Sequence, residues 1–167
     1  RILLETQPLP SVCGRVCPAP CMTGCNRSAF DGTVNIRGLE RWVGDHVDAV
    51  SSSIVTDTKA FRIAVAGGGP AGLSAAYQLA RRGHTVTIYD ANSSLGGVLY
   101  NGIPTYRLPP DVLQRDIDRI LCLGITAVCG KKMGSDDLAA LTHQHDALVI
   151  ATGFGQPTRL EVEGEML

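Results

Sequence analysis

The chain has 167 residues, a length that suits one ordinary domain or one domain with a small appendage. Apolar residues make up 44% and charged residues 19%, which excludes wholesale disorder; 15 basic against 16 acidic residues, with no basic block, argue against phosphate-driven nucleic-acid binding. No apolar run approaches the roughly 18 residues of a membrane span, so no membrane partner is expected. The chain opens at Arg1 with neither a methionine nor a signal peptide, and reads as a piece of something longer.

Four of the six cysteines and four of the nine prolines fall within the first 25 residues. Cys13, Cys17, Cys21 and Cys25 are spaced four apart. On a continuous helix they would form a stripe, but Pro18 and Pro20 forbid a helix through the middle. The thiols are therefore expected to converge from turns. Four soft ligands in so short a stretch suit zinc or an iron–sulfur cluster, with disulfides as the bland alternative. Nothing else in the chain suggests an oxidising compartment, so metal and a cytoplasmic setting are expected. Val47 to Ala60, centred on Ser51-Ser52-Ser53, has no packing pattern and reads as a loop or linker. The expected division is a helical cysteine-rich segment over 1–50, a linker over 51–60 and an α/β nucleotide-binding segment over 61–167.

Phe61 to Ala66 is a short β-prone run leading into Gly67-Gly68-Gly69-Pro70-Ala71-Gly72, a G-x-G-x-x-G with glycines at 67, 69 and 72. A helix follows, small on one face through Ala71, Ala75, Ala76 and Ala80, and stops at Gly83. Thr85 to Tyr89 alternates and is β-branched, which predicts a second strand ending at Asp90. Strand, glycine turn, helix, strand and acid in this order form a dinucleotide-binding unit. Gly67 permits the tight turn, Gly69 lets the backbone approach a diphosphate, and Gly72 allows close helix–strand packing. The helix N-terminus offers N–H groups to that diphosphate. Asp90 is placed to accept from the adenosine ribose hydroxyls, and its charge repels a 2′-phosphate, so FAD or NAD is expected here over NADP.

Further along, Pro110 suits a first helical position, with Leu113, Ile117, Ile120 and Leu121 on one face. Ile125 to Val128 predicts a strand, Ser135 an N-cap, and Ala147 to Ala151 a buried strand running into Thr152-Gly153. Cys122 and Cys129 are expected to act as small buried hydrophobes. His46, His84, His143 and His145 have no ligand-like or triad-like company. The alternation of strands and helices implies a parallel sheet with its ligand at the C-terminal edge.

Gly67 to Gly72, Asp90, the doublet Gly96-Gly97 and Ala151-Thr152-Gly153 resemble the FAD half of a two-dinucleotide-fold flavoprotein. Gly102-Ile103-Pro104-Thr105-Tyr106-Arg107-Leu108-Pro109, followed by Val112-Leu113 and Asp116, is similar to the small (beta) subunit of NADPH-dependent glutamate synthase and its relatives, which include the N-terminal half of dihydropyrimidine dehydrogenase. Pro8-Leu9-Pro10, Cys13 to Pro18 and Val34 to Arg41 resemble the helical iron–sulfur domain of that family. The resemblance implies an α/β chain: a partial Rossmann-like FAD-binding domain with a parallel sheet, preceded by a small helical iron–sulfur segment. It implies FAD contacts at Gly67, Gly69, Gly72, Asp90, Gly97, Ala151, Thr152 and Gly153. It implies two 4Fe–4S clusters, with Cys17, Cys21 and Glu40 on one and Cys25 on the other, and leaves Cys13 open. Three residues separate Cys17 from Cys21 where the family usually has five.

The activity so implied is electron input. Electrons would pass from NADPH, bound outside this chain, through FAD and the clusters to the glutamate synthase large subunit or another electron-accepting subunit, with dihydropyrimidine- or ferredoxin-linked reductases as alternatives. No cysteine pair follows Gly96-Gly97, so no dithiol is expected to be reduced. No side chain is an obvious catalytic acid or base. The stretch from Gly155 to Glu165 resembles the family's exit from the first FAD portion, and the chain alone is expected not to oxidise NAD(P)H at a useful rate. A non-catalytic nucleotide-binding domain with structural zinc is the reading of a different class.

Overall fold

The computed structural model describes residues 2–47, 59–154 and 161–163. Most of the expected linker and most of the stretch from 155 to 165 lie outside the described residues. Four parallel strands form the sheet: β1 (Arg62–Ala66), β2 (Thr85–Tyr89), β3 (Thr126–Val128) and β4 (Ala147–Ile150), in the order β3-β2-β1-β4. Ile63 lies opposite Val86 on one side and Ala147 on the other, so β1 is central. Ile63, Ala64, Val65 and Ala66 are accordingly all buried, which is why this strand reads as a continuous apolar run.

The chain runs outward from β1 to β2 to β3 and then returns to place β4 on the other side of β1. The point where the order reverses lies between β1 and β4, where open α/β sheets bind their ligands. Helix Pro70–Arg81 follows the glycine turn; of the small face expected, Ala76 and Ala80 are buried with Gly72, while Ala75 is half-buried and Ala71 exposed, because the buried stripe is centred on Leu73 and Tyr77. It ends where Gly83 takes φ +84°. Helix Pro110–Leu121 buries Val112, Leu113, Ile117 and Ile120.

In the first segment, short helices cover Ile2–Thr6, Pro10–Val16 and Pro20–Thr23, a 3₁₀ turn covers Asn26–Ala29, and a longer helix covers Ile36–His46. The break between Val16 and Pro20 falls where the two prolines predict it. Helices Pro10–Val16 and Ile36–His46 approach until a Cβ on Gly14 would lie 2.5 Å from Arg41 Cα. Glycine is therefore required there. Leu9 and Val12 enter the same apolar cluster as Leu73, Tyr77, Leu113 and Ile117, so the first segment shares the core of the α/β segment. Tyr77 Oη also donates to the Leu4 carbonyl at 2.5 Å.

Three expectations are corrected. Among the described strands β4 lies at the edge, and Ile150 is 66% exposed, so its apolar run is not buried on both faces here. The cap of helix Ser135–Gln144 is Gly134, whose N–H donates to Asp137 Oδ2 at 3.0 Å; Ser135 is already the first helical residue. Asp137, in the first turn, accepts the N–H of the cap residue, the reciprocal of the bond that a capping serine would have made. Cys122 and Cys129 are exposed, because each lies just past the end of its helix or strand, beyond the packed layer.

Candidate functional site

The glycine turn sits at the C-terminal end of β1, at the reversal point of the sheet. Gly67 takes φ +107°, and a Cβ there would overlap the Ala151 carbonyl oxygen, so the turn nests directly against the Ala151-Thr152-Gly153 loop. Ala151 N–H donates to the Ala66 carbonyl at 2.7 Å and holds that loop in place. A Cβ on Gly72 would overlap the Gly67 carbonyl oxygen, so the helix packs against the turn only because both residues lack side chains. Gly69 differs. Its φ of −74° suits any residue, and a Cβ would meet only Gly97 Cα, at 3.9 Å. Nothing among the described residues requires glycine at 69, and the approach of a ligand is a physical reason for it.

The Gly96-Gly97 doublet closes the other side of the same mouth. Gly96 N–H donates to the Gly68 carbonyl at 2.8 Å, and both glycines have positive φ, +119° and +54°. Gly67, Gly69, Gly97 and the Ala151–Gly153 loop are thus gathered at one edge of the sheet. Free N–H groups at the start of helix Pro70–Arg81 point there.

Asp90 adds a role that the spacing did not show. It is 6% exposed; Oδ2 accepts from Gly68 N–H at 2.6 Å, and Oδ1 accepts from Asn92 N and Nδ2 at 2.8 and 3.0 Å. The carboxylate braces the glycine turn from beneath. A carboxylate has about four acceptor sites, so roughly one remains for a ligand hydroxyl.

All six cysteines are free thiols. Cys17 lies at the break between two helices, and its Sγ accepts the backbone N–H of Ala19 at 3.3 Å. Ala19 is buried and left-handed, at φ +57°, an unfavourable state for alanine and more so directly before Pro20, whose ring favours an extended residue in front of it. Backbone N–H groups of Val34, Arg27 and Ser28 hold the Cys25 thiol below the usual thiol range. The Cys13 thiol is pushed up instead, first by burial and then by the charges of Glu40 and Cys17. Cys13, Cys17 and Glu40 are therefore electrostatic neighbours, while Cys21 is exposed.

No three of the described His, Cys, Asp and Glu side chains are placed to hold a single metal ion. A tetrahedral zinc ion needs its ligands to meet at one point. A cubane cluster takes one protein ligand per iron, so its ligands surround a volume. The expected convergence of the thiols is not seen among the described residues, because Cys13 and Cys21 sit on separate helices and Cys21 is exposed; what suits a cluster is the N–H donor at the Cys17 sulfur, since cluster sulfurs carry negative charge.

One buried group was visible in the sequence only as a motif position. Asp116 is fully buried on helix Pro110–Leu121; it accepts from Val12 N–H at 3.1 Å and pairs with Arg119 at 2.5 Å. Arg119 continues to the carbonyls of Gly44 and Val47, at 3.1 and 3.2 Å. The pair ties helix Pro10–Val16 and the C-terminal end of helix Ile36–His46 to the α/β segment.

A four-stranded parallel sheet with a glycine turn at its reversal point, joined through one core to cysteine-rich helices, defines a Rossmann-like α/β protein with an iron–sulfur-type appendage. Comparisons with known proteins agree. Residues 1–52 match the family described as dihydropyrimidine dehydrogenase domain II, 4Fe-4S cluster, and residues 65–113 match an NAD(P)-binding Rossmann-like domain. The chain is 41% identical over 170 residues to the NADPH-Fe(3+) oxidoreductase subunit beta of Geobacter sulfurreducens, a match covering 98% of this chain and 25% of that protein. It is 37% identical to the NAD-dependent dihydropyrimidine dehydrogenase subunit PreT of Escherichia coli, covering 93% of this chain and 39% of the relative. It is 35% identical to the glutamate synthase [NADPH] small chain of Bacillus subtilis, covering 97% and 34%. Among solved structures, 2-naphthoyl-CoA reductase superposes with a TM-score of 0.56 at 31% identity, over 68% of this chain and 17% of that one.

The chain is a homologue of the glutamate synthase small chain, of PreT and of the NADPH-Fe(3+) oxidoreductase beta subunit, and its first segment is a 4Fe–4S type of domain. It spans well under half the length of each of these relatives.

Proposed function

We propose that this chain is the electron-input portion of a longer NAD(P)H-dependent oxidoreductase, holding the ADP half of an FAD site and part of the ligand set of two 4Fe–4S clusters. The observation that carries the reading is the union of the two sites in one core. The glycine turn carries no side chain that would exclude a diphosphate, Ala19 N–H donates to the Cys17 sulfur, and Leu9 and Val12 of the cysteine-bearing segment pack into the same apolar cluster as Leu73 and Tyr77 of the helix after the turn. A flavin accepts a hydride pair and releases single electrons, which is the chemistry needed between a nicotinamide donor and one-electron clusters.

The residues of the chain divide the work. Gly67, Gly72 and Asp90 shape the turn; Gly69, Gly97 and the Ala151-Thr152-Gly153 backbone would face the cofactor. Cys17, Cys21 and Glu40 would ligate one cluster and Cys25 the other. The electron acceptor would be a partner subunit such as the glutamate synthase large subunit, and free thiols suit a cytoplasmic setting. Hydride transfer needs the donor about 3–3.5 Å from the flavin, and that positioning supplies roughly 7–11 kcal/mol. The chain carries one G-x-G-x-x-G, so by itself it is expected not to turn over NAD(P)H with ferricyanide as acceptor.

The test is Gly69→Val in the full-length protein. Because the fold leaves room at Gly69, the variant should fold with near wild-type stability yet purify without FAD. Stoichiometric FAD in the purified valine variant would sink the assignment, as would a wild-type protein containing zinc and no acid-labile sulfide.

A further inference from the structure

The region around Cys17 carries more positive charge than ligation alone explains. A cavity of about 580 Å³ opens beside the cysteine loop, lined by Arg15, Arg37, Arg41 and Arg107 with Asn35 and Tyr106, and no Asp or Glu among the described residues lines it. The close approach at Gly14 brings the basic side of helix Ile36–His46 over the loop. Two of the four cations are already engaged by a carboxylate. Arg15 binds Asp45 through two bonds of 2.8 and 2.9 Å, and Arg41 lies 3.8 Å from the same residue. Arg37 has no carboxylate partner among the described residues. Its Nη1 donates to the Cys17 carbonyl oxygen at 3.2 Å.

Cys17 is thus held at two atoms: its sulfur takes the Ala19 N–H and its carbonyl takes the Arg37 guanidinium. Arg37 and Glu40 lie three apart on the same helix, in adjacent positions on its surface. A cluster ligated by thiolates and a carboxylate is an anion, and reduction adds a further negative charge. A fixed cation nearby therefore stabilises the reduced form more than the oxidised form, and so raises the potential.

We propose that Arg37 is a positioning residue for the cluster held at Cys17: it clamps the ligand loop and makes that cluster easier to reduce. The inference rests on the iron–sulfur reading given above. Arg37 acts through its charge and its bond to the Cys17 carbonyl, and forms no bond to iron.

The experiment uses the full-length protein, reconstituted anaerobically with iron and sulfide. The midpoint potential is measured by EPR on the cluster whose signal changes in Cys17→Ser. Arg37→Gln should make reduction about tenfold less favourable, which for a one-electron couple is a fall of about 59 mV. Arg37→Lys keeps the charge and should stay within about threefold of wild type. If Arg37→Gln loses the cluster while Arg37→Lys holds it at the wild-type potential, the role of the charge is supported. If both variants hold the cluster at the wild-type potential, or if both lose it, the tuning role is overturned. A wild-type protein with no iron and no sulfide would overturn the iron–sulfur reading itself, an outcome distinct from the others.

Discussion

The α/β segment and the cysteine-rich segment reach their order by different routes. In the first, apolar burial is dense: Ala64, Val65, Leu73, Ala76, Ile88 and Ile120 have no measurable exposure. In the second, the buried side chains lie near its start, at Leu4, Leu9, Val12 and Ala19, and residues 20–43 include none that is buried. Yet Cys21, Cys25 and Glu40 all fall in that stretch. A segment with so little apolar burial has little hydrophobic reason to hold one conformation. Ligand binding supplies the missing free energy in small metal domains, where the binding energy is folding energy. The contrast teaches that the nucleotide-binding half is ordered by its own apolar core, while the iron–sulfur half is built around docking points and charge.

The sharpest way to break this contrast is Gly72→Ala. A methyl at 72 overlaps the Gly67 carbonyl oxygen, a backbone atom that cannot rotate away. The cost should be about 4 kcal/mol, at the upper end for one substitution, read as a lowered urea midpoint. If Gly72→Ala unfolds at the wild-type midpoint, the turn is not the rigid cradle described.

Next in size is Asp116→Ala, which strands the Arg119 guanidinium at 6% exposure and removes the acceptor for Val12 N–H. Breaking a buried pair costs about 3–5 kcal/mol. Hydrogen exchange should show the loss as faster exchange over Pro10–Val16, with β1 and β2 still protected. Equal loss of protection in both segments would mean that they unfold as one unit and that the contrast is false.

The smallest effect concerns Asp45. The Arg15 guanidinium holds its carboxyl below the ordinary value of 3.8, with Arg41 and Arg115 adding to the effect. The folded value is depressed, so this stabilisation is complete above pH 3.8 and is lost as pH falls through the folded value. Asp45→Asn should cost about 0.5–1 kcal/mol at pH 7 and should flatten the acid limb of the stability profile. An unchanged acid limb would assign the acid loss to other carboxylates.

Much of the α/β half was legible because local rules and tertiary structure agree there. The β-branched alternation of Thr85–Tyr89 and the glycine spacing at 67, 69 and 72 each have one physical solution, and the sheet adopts it. The proline break at 18 and 20 was legible for the same reason: a ring without an N–H ends a helix regardless of surroundings. What sequence could not determine depended on partners distant along the chain. Whether β4 is central or at the edge depends on which strands flank it, and four apolar residues read the same either way. The depth of Cys122 and Cys129 depends on where the packed layer stops.

Asp90 shows the division most clearly. Its position after β2 followed from the pattern, but that its carboxylate braces Gly68 was decided only when two strands came side by side. Asp116 and Arg37 are the same case: each acts on a residue far along the chain, Val12 and Cys17, and spacing carries no information about such pairs. The sequence alone determined the strands and the helices of the α/β segment around the glycine turn and Pro110, and the proline break in the cysteine loop, because these follow from the backbone chemistry of a few adjacent residues. Tertiary structure alone decided which charges meet them, because a hydrogen bond depends on distance in space.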